Sequence, residues 1–548
     1  MANISGNSDI QATTYCQGGF SCLVSLLKTG SDVCRRYAAM GMRLLSCNPD
    51  VRKMIVNESM IAPILGMASS GILDYQKSAA AALASMSLDG SSKFSLLKKG
   101  ALKYIFCLLN HHDSAIRRHA TFAAANMAGS CELHLDFVKE GGIQSLRDVQ
   151  PNNDIRVIRD ISRAFASLSV TENAKKLMVD SDVLSLLLVF ARSRDLATQR
   201  YAALAICNSS VGERKVQIVE KGALKTLIFL LRFSDLEVGR CVALSIAALS
   251  LGKTENKVQV VKEGAIRPMI EMLKFPDQEV QRCVCLALNS VALGDHRTKR
   301  NIVNEGGLKP LLAILESGDE ECVHSGIYII GSLFESEEIR GSLIELGAIE
   351  SVANRSKSGS IDTKRACGYF LSLLAQSPEY HDEMEKTGGL QCVIDLASLV
   401  DNECQEYGAF ALAFLASNHD YQVSLVQKGA VRPLVSIMAT DSEPKHYAGL
   451  ALLKLADNFE NHIIIAEEGG IQALLKLGRS RVTGEELQYK AALTVGHLAS
   501  NAIRKIPRQR HSTDDEIGVA AAEWQGKGHV AKSGSDSNRD KVNMLQAG

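Results

Sequence analysis

The stretch VVKEGAIRPMIEMLK, residues 260–274, decides the fold of this chain. A helical pattern ends at Glu263-Gly264-Ala265, and a second pattern begins at once with Arg267-Pro268. Glycine permits the left-handed backbone conformation that ends a helix. Proline is tolerated in the first turn of a helix, where the backbone N–H has no partner within the helix. The stretch therefore predicts two helices joined by a tight turn.

The same glycine turn recurs along the chain at a nearly constant spacing. Nine further glycines stand in equivalent sequences, and Ser59 and Ser181 take the place of the glycine in two weaker copies. The resulting twelve turns lie 40 to 42 residues apart, which indicates a solenoid of stacked repeats. The glycines are Gly18, Gly100, Gly141, Gly222, Gly264, Gly306, Gly347, Gly388, Gly429 and Gly469.

Each repeat is predicted to contain three helices. In the quoted copy a short first helix precedes Gly264, a second begins at Ile266, and a longer third runs from about Glu279 to Leu293. The third helix carries apolar residues on more than one side, so neighbouring repeats must cover it. A low aromatic content of 5%, with Ala and Leu dominating the apolar residues, agrees with an all-α fold.

This pattern resembles the armadillo repeat. The resemblance rests on the period, the three helices and the Glu-Gly-Ala-Ile-Arg-Pro sequence of residues 263–268, and it covers residues 14–506. It implies a right-handed α-α superhelix, or solenoid, of about twelve repeats, whose third helices line a concave groove. Within the family, the chain looks more similar to β-catenin and the vacuolar armadillo proteins than to importin-α. We expect residues 1–13 and 507–548 to be disordered flanks.

Composition indicates which partners and which cellular compartment to expect. Lys plus Arg and Asp plus Glu are both 61, so the chain as a whole has no electrostatic preference for nucleic acid. No stretch is apolar and long enough to span a membrane, and Ala2 stands where myristoylation needs a glycine. We therefore expect no direct membrane anchor and a location in the cytoplasm or the nucleus. The 14 cysteines lie mostly on apolar helical faces, which is typical of core residues in such a compartment.

The sequence holds no complete motif for catalysis. It contains neither a GxSxG nor an HExxH sequence, and His111-His112 stands without further metal ligands at suitable spacing. No repeat is interrupted by an insertion that would carry catalytic residues. We predict a non-enzymatic protein that uses neither a cofactor nor a metal.

A series of basic residues, here called the basic ladder, recurs 18 positions after the glycine turns. It predicts a positive track along the groove that would bind an acidic segment, each exposed contact contributing about 0.2–1 kcal/mol. The alternative is a structural role, in which each cation pairs with a neighbouring acidic group, such as the glutamate of the glycine turn, and holds adjacent repeats together. The ladder consists of Arg36, Lys77, Arg118, Arg159, Arg200 (one position out of register), Arg240, Arg282, His324 and Arg365, and Glu406 ends it.

The resemblance also allows a nuclear import adaptor to be considered. Importin-α-like repeats carry a tryptophan 22 positions after the turn and an asparagine four positions further on, and the pair binds the backbone of an extended peptide. The single tryptophan here, Trp524, lies outside the repeats. The asparagine is matched only at Asn126 and, with a one-residue slip, at Asn208. The import adaptor is therefore an alternative that lacks its main motif.

Aromatic residues replace the tryptophan in part of the chain. Tyr328, Tyr369 and Phe410 occupy its position in three successive repeats, and Phe122 does so near the other end. They predict either an apolar strip that anchors a partner helix or core residues between helices.

The sequence thus predicts a protein-protein interaction scaffold or adaptor. The expected partners are proteins with acidic extended segments or amphipathic helices. Besides the import adaptor, a cytoskeleton- or myosin-directed armadillo chaperone would share this fold.

Overall fold

The computed structural model describes residues 8–52, 61–151, 153–210, 215–232, 235–251, 254–440, 444–479 and 485–505. Every regular element in these ranges is a helix. None of the helices described is long and apolar enough to cross a membrane. The chain divides into two compact units, and the boundary between Phe370 and Leu371 falls inside the helix Ile361–Ala375.

The predicted third helices are the longest element of most repeats. In the quoted copy the third helix runs from Gln278 to Ala292, within one residue of the prediction at either end. Together these helices are Asp32–Leu45, Leu73–Met86, Ser114–Ala128, Ile155–Leu168, Leu196–Ser209, Leu236–Ser250, Gln278–Ala292, Glu320–Phe334, Ile361–Ala375, Asn402–Leu415, Lys445–Leu455 and Glu485–Lys505.

The second helices follow the glycine turns directly. They are Gly19–Thr29, Ile61–Ala68, Ala101–Leu108, Gly142–Arg147, Val183–Phe190, Ala223–Leu230, Ile266–Leu273, Leu308–Ile314, Ala348–Ser358, Gly389–Ala397, Val431–Ala439 and Gly470–Arg479.

The first helices precede the turns, and three of them begin with a 3₁₀ turn. Within the described residues they are Ser8–Cys16, Gly90–Lys98, Cys131–Lys139, Glu172–Asp180, Lys215–Glu220, Thr254–Lys262, His296–Asn304, Glu337–Glu345, Pro378–Lys386, His419–Gln427 and Phe459–Glu467. The helix that begins at Ser8 starts before residue 14, where the solenoid was expected to begin.

The glycine turn has the backbone conformation predicted for it. Gly264 has a φ of +79°, its N–H donates to the carbonyl of Val261 (3.0 Å), and the N–H of Ala265 donates to that of Val260 (3.3 Å). These two bonds form a Schellman motif, which satisfies carbonyl groups at the end of the first helix. All ten glycines of the turns have a positive φ, between +69° and +90°.

The weaker copy near Ser181 differs from the prediction by one residue. The left-handed conformation belongs to Asp182, whose φ is +57°, because the short polar side chain of aspartate tolerates it better than most. Counted from Asp182, Arg200 and Asn208 fall in the same register as in the other repeats. Ser59 lies outside the described residues.

The third helices form the core of each unit because they are covered on several sides. In Gln278–Ala292 the buried residues include Val280, Val284, Leu288 and Val291. The helix packs between the third helices of the repeats before and after it. Burying one such side chain contributes about 1.5–3 kcal/mol, and a single repeat has no neighbour to supply that burial.

Candidate partner-binding surface

The basic ladder lies in the second turn of successive third helices. Its paired side chains are partly exposed, from 31% for Arg365 to 63% for Arg36. Seven of its cations contact a carboxylate on the next third helix or at its N-cap. These pairs are Arg36–Asp74, Lys77–Asp113, Arg118–Asp154, Arg159–Asp195, Arg200–Asp235, Arg240–Glu279 and Arg282–Glu321.

The pair Arg159–Asp195 shows how one carboxylate serves two helices. The Nε of Arg159 donates to one Asp195 oxygen (3.0 Å), and Nη2 donates to the other (2.6 Å). Asp195 is also the N-cap of the helix Leu196–Ser209, because it accepts from the backbone N–H of Thr198 (3.0 Å). The hydrogen bond from Arg159 is the main cause that lowers the pKa of Asp195 to about 2, against a raising effect of burial.

Further along the ladder the carboxylate comes from a glutamate in the first helical turn. Arg240 contacts Glu279 on the next helix and Glu237 on its own helix (3.0 Å), and Arg282 contacts Glu321. The N-cap aspartates of these helices, such as Asp277, remain in place as caps. The ladder therefore changes its type of partner between Arg200 and Arg240.

The last members of the ladder have different surroundings. The ring of His324 packs edge-on against Tyr328, with 5.7 Å between the ring centroids. Arg365 pairs with Asp362 of its own helix (2.9 Å). These residues mark a change from a charged to an aromatic surface in the last repeats of the first unit.

The glutamates of the glycine turns do not pair with the ladder, although the structural alternative named them as partners. Glu305 and Glu468 face Arg267 (4.0 Å) and Arg432 (3.0 Å), which lie on second helices. The sequence does hold the signal for the true partners, because an Asp follows Arg118, Arg159 and Arg200 after 36, 36 and 35 residues.

The two asparagines of the import-adaptor pattern bind other parts of the chain. Asn126 is buried, its Nδ2 donates to Ser87 Oγ (3.0 Å), and its Oδ1 accepts from Arg163 (2.9 Å). The Nδ2 of Asn208 donates to Ser169 Oγ (3.0 Å). Both amides thus link a third helix to the end of the preceding one.

Tyr328 and Tyr369, here called the tyrosine pair, lie side by side on the first unit. Their ring centroids are 5.8 Å apart, and both side chains are half-buried. The Tyr369 ring lies against Gly331, where a Cβ atom would come within 2.6 Å of it. The Tyr369 hydroxyl donates to Glu335 (2.8 Å), which also accepts from the buried Lys299 (2.6 Å). The pair is therefore held in one position.

The second unit has an aromatic cluster of its own. Phe410 contacts Phe414 (4.9 Å between centroids) and Tyr447 (5.1 Å). Phe410 is half-buried and Phe414 is exposed. Tyr328, Tyr369 and Phe410 are all half-buried, so both alternatives, a strip that anchors a partner helix and core residues between helices, stay predictions.

Sequence reasoning missed a set of leucines at the same position as the tyrosine pair. Leu204, Leu244 and Leu286 stand 22 residues after Asp182, Gly222 and Gly264. Their exposed fractions lie between 36% and 40%, which is high for leucine on a helix whose other apolar residues are buried. The fixed offset from the glycine turn would have identified them.

A metal site would need His, Cys, Asp or Glu side chains that lie close together. No group of three or more such side chains within the described residues is placed to hold an ion. His111 is engaged at both ring nitrogens, by Gln76 (3.0 Å) and by the N–H of Asp113 (3.0 Å). Burial raises the pKa of Cys241 to about 12 and that of Cys283 to about 11, so both thiols stay protonated.

Known proteins resemble this chain in sequence and in fold. Vacuolar protein 8 of Candida albicans is 27% identical over 206 residues, 37% of this chain and 35% of that protein. A structure from work on a phosphorylation switch that controls the interaction between cadherin and β-catenin covers 88% of this chain and 99% of its own, at 14% identity and a TM-score of 0.68. The fold of this chain is that of an armadillo-repeat solenoid.

An engineered protein is also similar to this chain in fold. The crystal structure of this engineered protein, from the Northeast Structural Genomics Consortium, covers 80% of this chain and 98% of its own, at 25% identity and a TM-score of 0.55. No protein-family model matches the chain. The match spans about a third of the length of Vacuolar protein 8.

Proposed function

We propose that this protein is a non-enzymatic scaffold that binds acidic segments or amphipathic helices of partner proteins along its third helices. The observation that carries the proposal is the basic ladder itself. Its partly exposed cations recur at one position of successive third helices, each held in place by a carboxylate. A partner could therefore make the same contact repeatedly, and weak contacts would add up.

The carboxylates that pair with the basic ladder occupy only some of its N–H donors. A guanidinium has five N–H donors, and a bidentate contact such as that of Arg159 with Asp195 uses two of them. An acidic side chain of a partner could bind the remaining donors. Because the exposed pairs are screened by salt, such binding should weaken as the ionic strength rises.

An import adaptor is disfavoured by the residues at the tryptophan position. Leu204, Leu244, Leu286 and the tyrosine pair stand there, and both matching asparagines bind serines of the chain itself. We propose instead that the leucines and the tyrosine pair contact the apolar face of a partner helix. We also propose a cytoplasmic or nuclear location, because eight of the fourteen cysteines are buried in helices as core residues.

The test is a joint charge reversal of the ladder, with Arg118→Glu, Arg240→Glu and Arg282→Glu in one variant. We expect recovery of the partners to fall at least tenfold in quantitative affinity purification, because three cations become anions beside existing carboxylates. The matched control reverses Lys98, Lys139 and Lys262, which are exposed and lie at the ends of first helices. A folded ladder variant that recovers the same partners as the control would show that the proposal is wrong.

A further inference from the structure

A second basic surface lies on the second helices of the first unit. Two neighbouring cavities, here called the twin cavities, have volumes of about 390 and 380 Å³. Arg192, Lys225, Phe229 and Glu263 line the first, Arg267, Glu271 and Phe275 line the second, and Arg232 lines both. Each volume falls at the lower end of the range for ligand pockets.

The cations of the twin cavities are less well paired than those of the ladder. Arg192 donates to the neutral hydroxyl of Thr226 (3.1 Å). Arg267 is 4.0 Å from its nearest carboxylate, that of Glu305. The guanidinium of Arg232 has neither an ion pair nor a hydrogen bond with any residue that the structure describes.

The carboxylates of the twin cavities have partners of their own. Glu263 accepts from Gln259 (2.7 Å) and lies 3.9 Å from Lys225, and Glu271 pairs with Lys274 (2.8 Å). Neither of them pairs with Arg192 or Arg232, and these two guanidinium groups form no ion pair with the residues that the structure describes. Unpaired guanidinium groups beside a cavity favour an anionic ligand.

Each of the twin cavities also has one aromatic ring in its lining, beside the basic side chains. Phe229 in the first cavity is 39% exposed, and Phe275 in the second is 37% exposed. Exposed rings at the wall of a cavity gain free energy when an apolar group covers them. With Arg232 between the two cavities, the arrangement matches a ligand that has an anionic group in the middle and an apolar group on each side.

We propose that the twin cavities bind a peptide segment in which one anionic side chain, a carboxylate or a phosphate, is flanked by apolar side chains. This site is separate from the basic ladder and would add a second point of contact to a scaffold. A nucleic acid fits less well, because Glu263 and Glu271 would each face its continuous phosphate backbone. A single anionic side chain directed at Arg232 avoids that repulsion.

The test measures fluorescence anisotropy of the full-length protein with three labelled peptides. They have the sequence Gly-Ser-Leu-Ser-X-Ser-Phe-Ser-Gly, where X is glutamate, phosphoserine or glutamine. We expect the glutamate and phosphoserine peptides to bind at least tenfold more tightly than the glutamine peptide, and their order identifies the preferred anion. Equal binding of all three, or no saturable binding of either anionic peptide, overturns the proposal, as does tighter binding of a labelled twelve-nucleotide oligothymidylate.

Variants of the protein locate the binding. Arg232→Glu should weaken the better anionic peptide at least tenfold, and Phe275→Ala should weaken it by a smaller factor, because Arg232 lines both cavities and Phe275 lines one. Arg194→Glu is the matched control, since this exposed arginine lines neither cavity. The ladder variant should bind the peptide normally, so a failure here is distinct from a failure of the proposed scaffold function. A folded Arg232→Glu variant with unchanged affinity overturns the proposal.

Discussion

At the scale of single residues, the glycine turn depends on backbone conformation and not on space. A Cβ atom added to Gly264 would meet nothing within 4 Å, yet the φ of +79° is one that most residues avoid. Asp182 shows that a polar exception is allowed at this position. The turn therefore selects for residues that tolerate the left-handed conformation.

We predict that Gly264→Ala lowers the free energy of unfolding by about 1–2 kcal/mol, the cost of placing an L-residue in the left-handed region. Gly264→Asp should cost less, as Asp182 indicates. The control is Gly341→Ala, in the exposed interior of the helix Glu337–Glu345, which should stabilise by about 0.5–1 kcal/mol. Denaturant unfolding measures the free energy of unfolding of all three variants. A Gly264→Ala variant that is as stable as wild type would contradict the conformational argument.

At the scale of helices, seven pairs of the basic ladder connect a third helix of the first unit with the next one. A capping aspartate already satisfies backbone N–H groups at the start of its own helix, and the arginine of the preceding repeat binds the same carboxylate. One carboxylate thus caps the start of its own helix and also binds the arginine of the preceding third helix. This dual contact explains why the ladder can be structural and still present donors to a partner.

We predict that Asp195→Asn lowers the free energy of unfolding at neutral pH by about 0.2–1 kcal/mol, the contribution of an exposed ion pair. Asparagine caps a helix as well as aspartate does, so the change removes the pair and keeps the cap. Because the pKa of Asp195 is lowered in the folded state, its contribution is complete above the ordinary value of 3.8 and is lost as the pH falls towards about 2.

The difference in unfolding free energy between wild type and Asp195→Asn should therefore vanish in strong acid. Urea unfolding at a series of pH values measures this difference. Asp180→Asn, an acidic residue at the end of a helix and outside the ladder, is the control. A difference that stayed constant down to the lowest pH would rule out the ion pair as its source.

The tyrosine pair allows a second test at this scale. Gly331→Ala should cost about 1–3 kcal/mol, because its Cβ atom would lie 2.6 Å from the Tyr369 ring and push it away. In a Tyr369→Ala background the same change should stabilise by about 0.5–1 kcal/mol, since alanine favours the helix more than glycine does. A double-mutant cycle of unfolding free energies measures the coupling. Equal effects in both backgrounds would show that the ring does not rest on Gly331.

At the scale of the whole molecule, the repeat period made the fold predictable. The contacts between repeats could not be predicted from this period. The glycine turn fixed where helices end, and Gln278–Ala292 was placed to within one residue. The spacing marks candidate partners of the ladder, but it does not choose between an N-cap aspartate and a first-turn glutamate such as Asp277 and Glu279, because packing selects between them. The tyrosine pair was found by its offset, but its support by Gly331 and Glu335 depends on contacts between neighbouring repeats.

The charge balance of the chain leads to a prediction about its solution behaviour. With 61 basic and 61 acidic residues the formal net charge at pH 7 is zero, so repulsion between molecules is weakest there. We predict that solubility is lowest near neutral pH and rises as the 13 histidines become protonated below about pH 6. Static light scattering across this range measures the effect, and a solubility maximum near pH 7 would contradict it.

The two kinds of ladder partner limit how far the repeats can be exchanged by protein engineering. Arg118, Arg159 and Arg200 bind an aspartate 35 or 36 residues further on, whereas Arg240 and Arg282 bind a glutamate 39 residues further on. A chimaera that placed Arg240 before the helix Leu196–Ser209 would lose the glutamate partner, because the first turn of that helix holds no acidic residue, and the N-cap Asp195 would be left as the acceptor. A designer who reorders the repeats must therefore move each ladder arginine together with the start of the third helix that follows it.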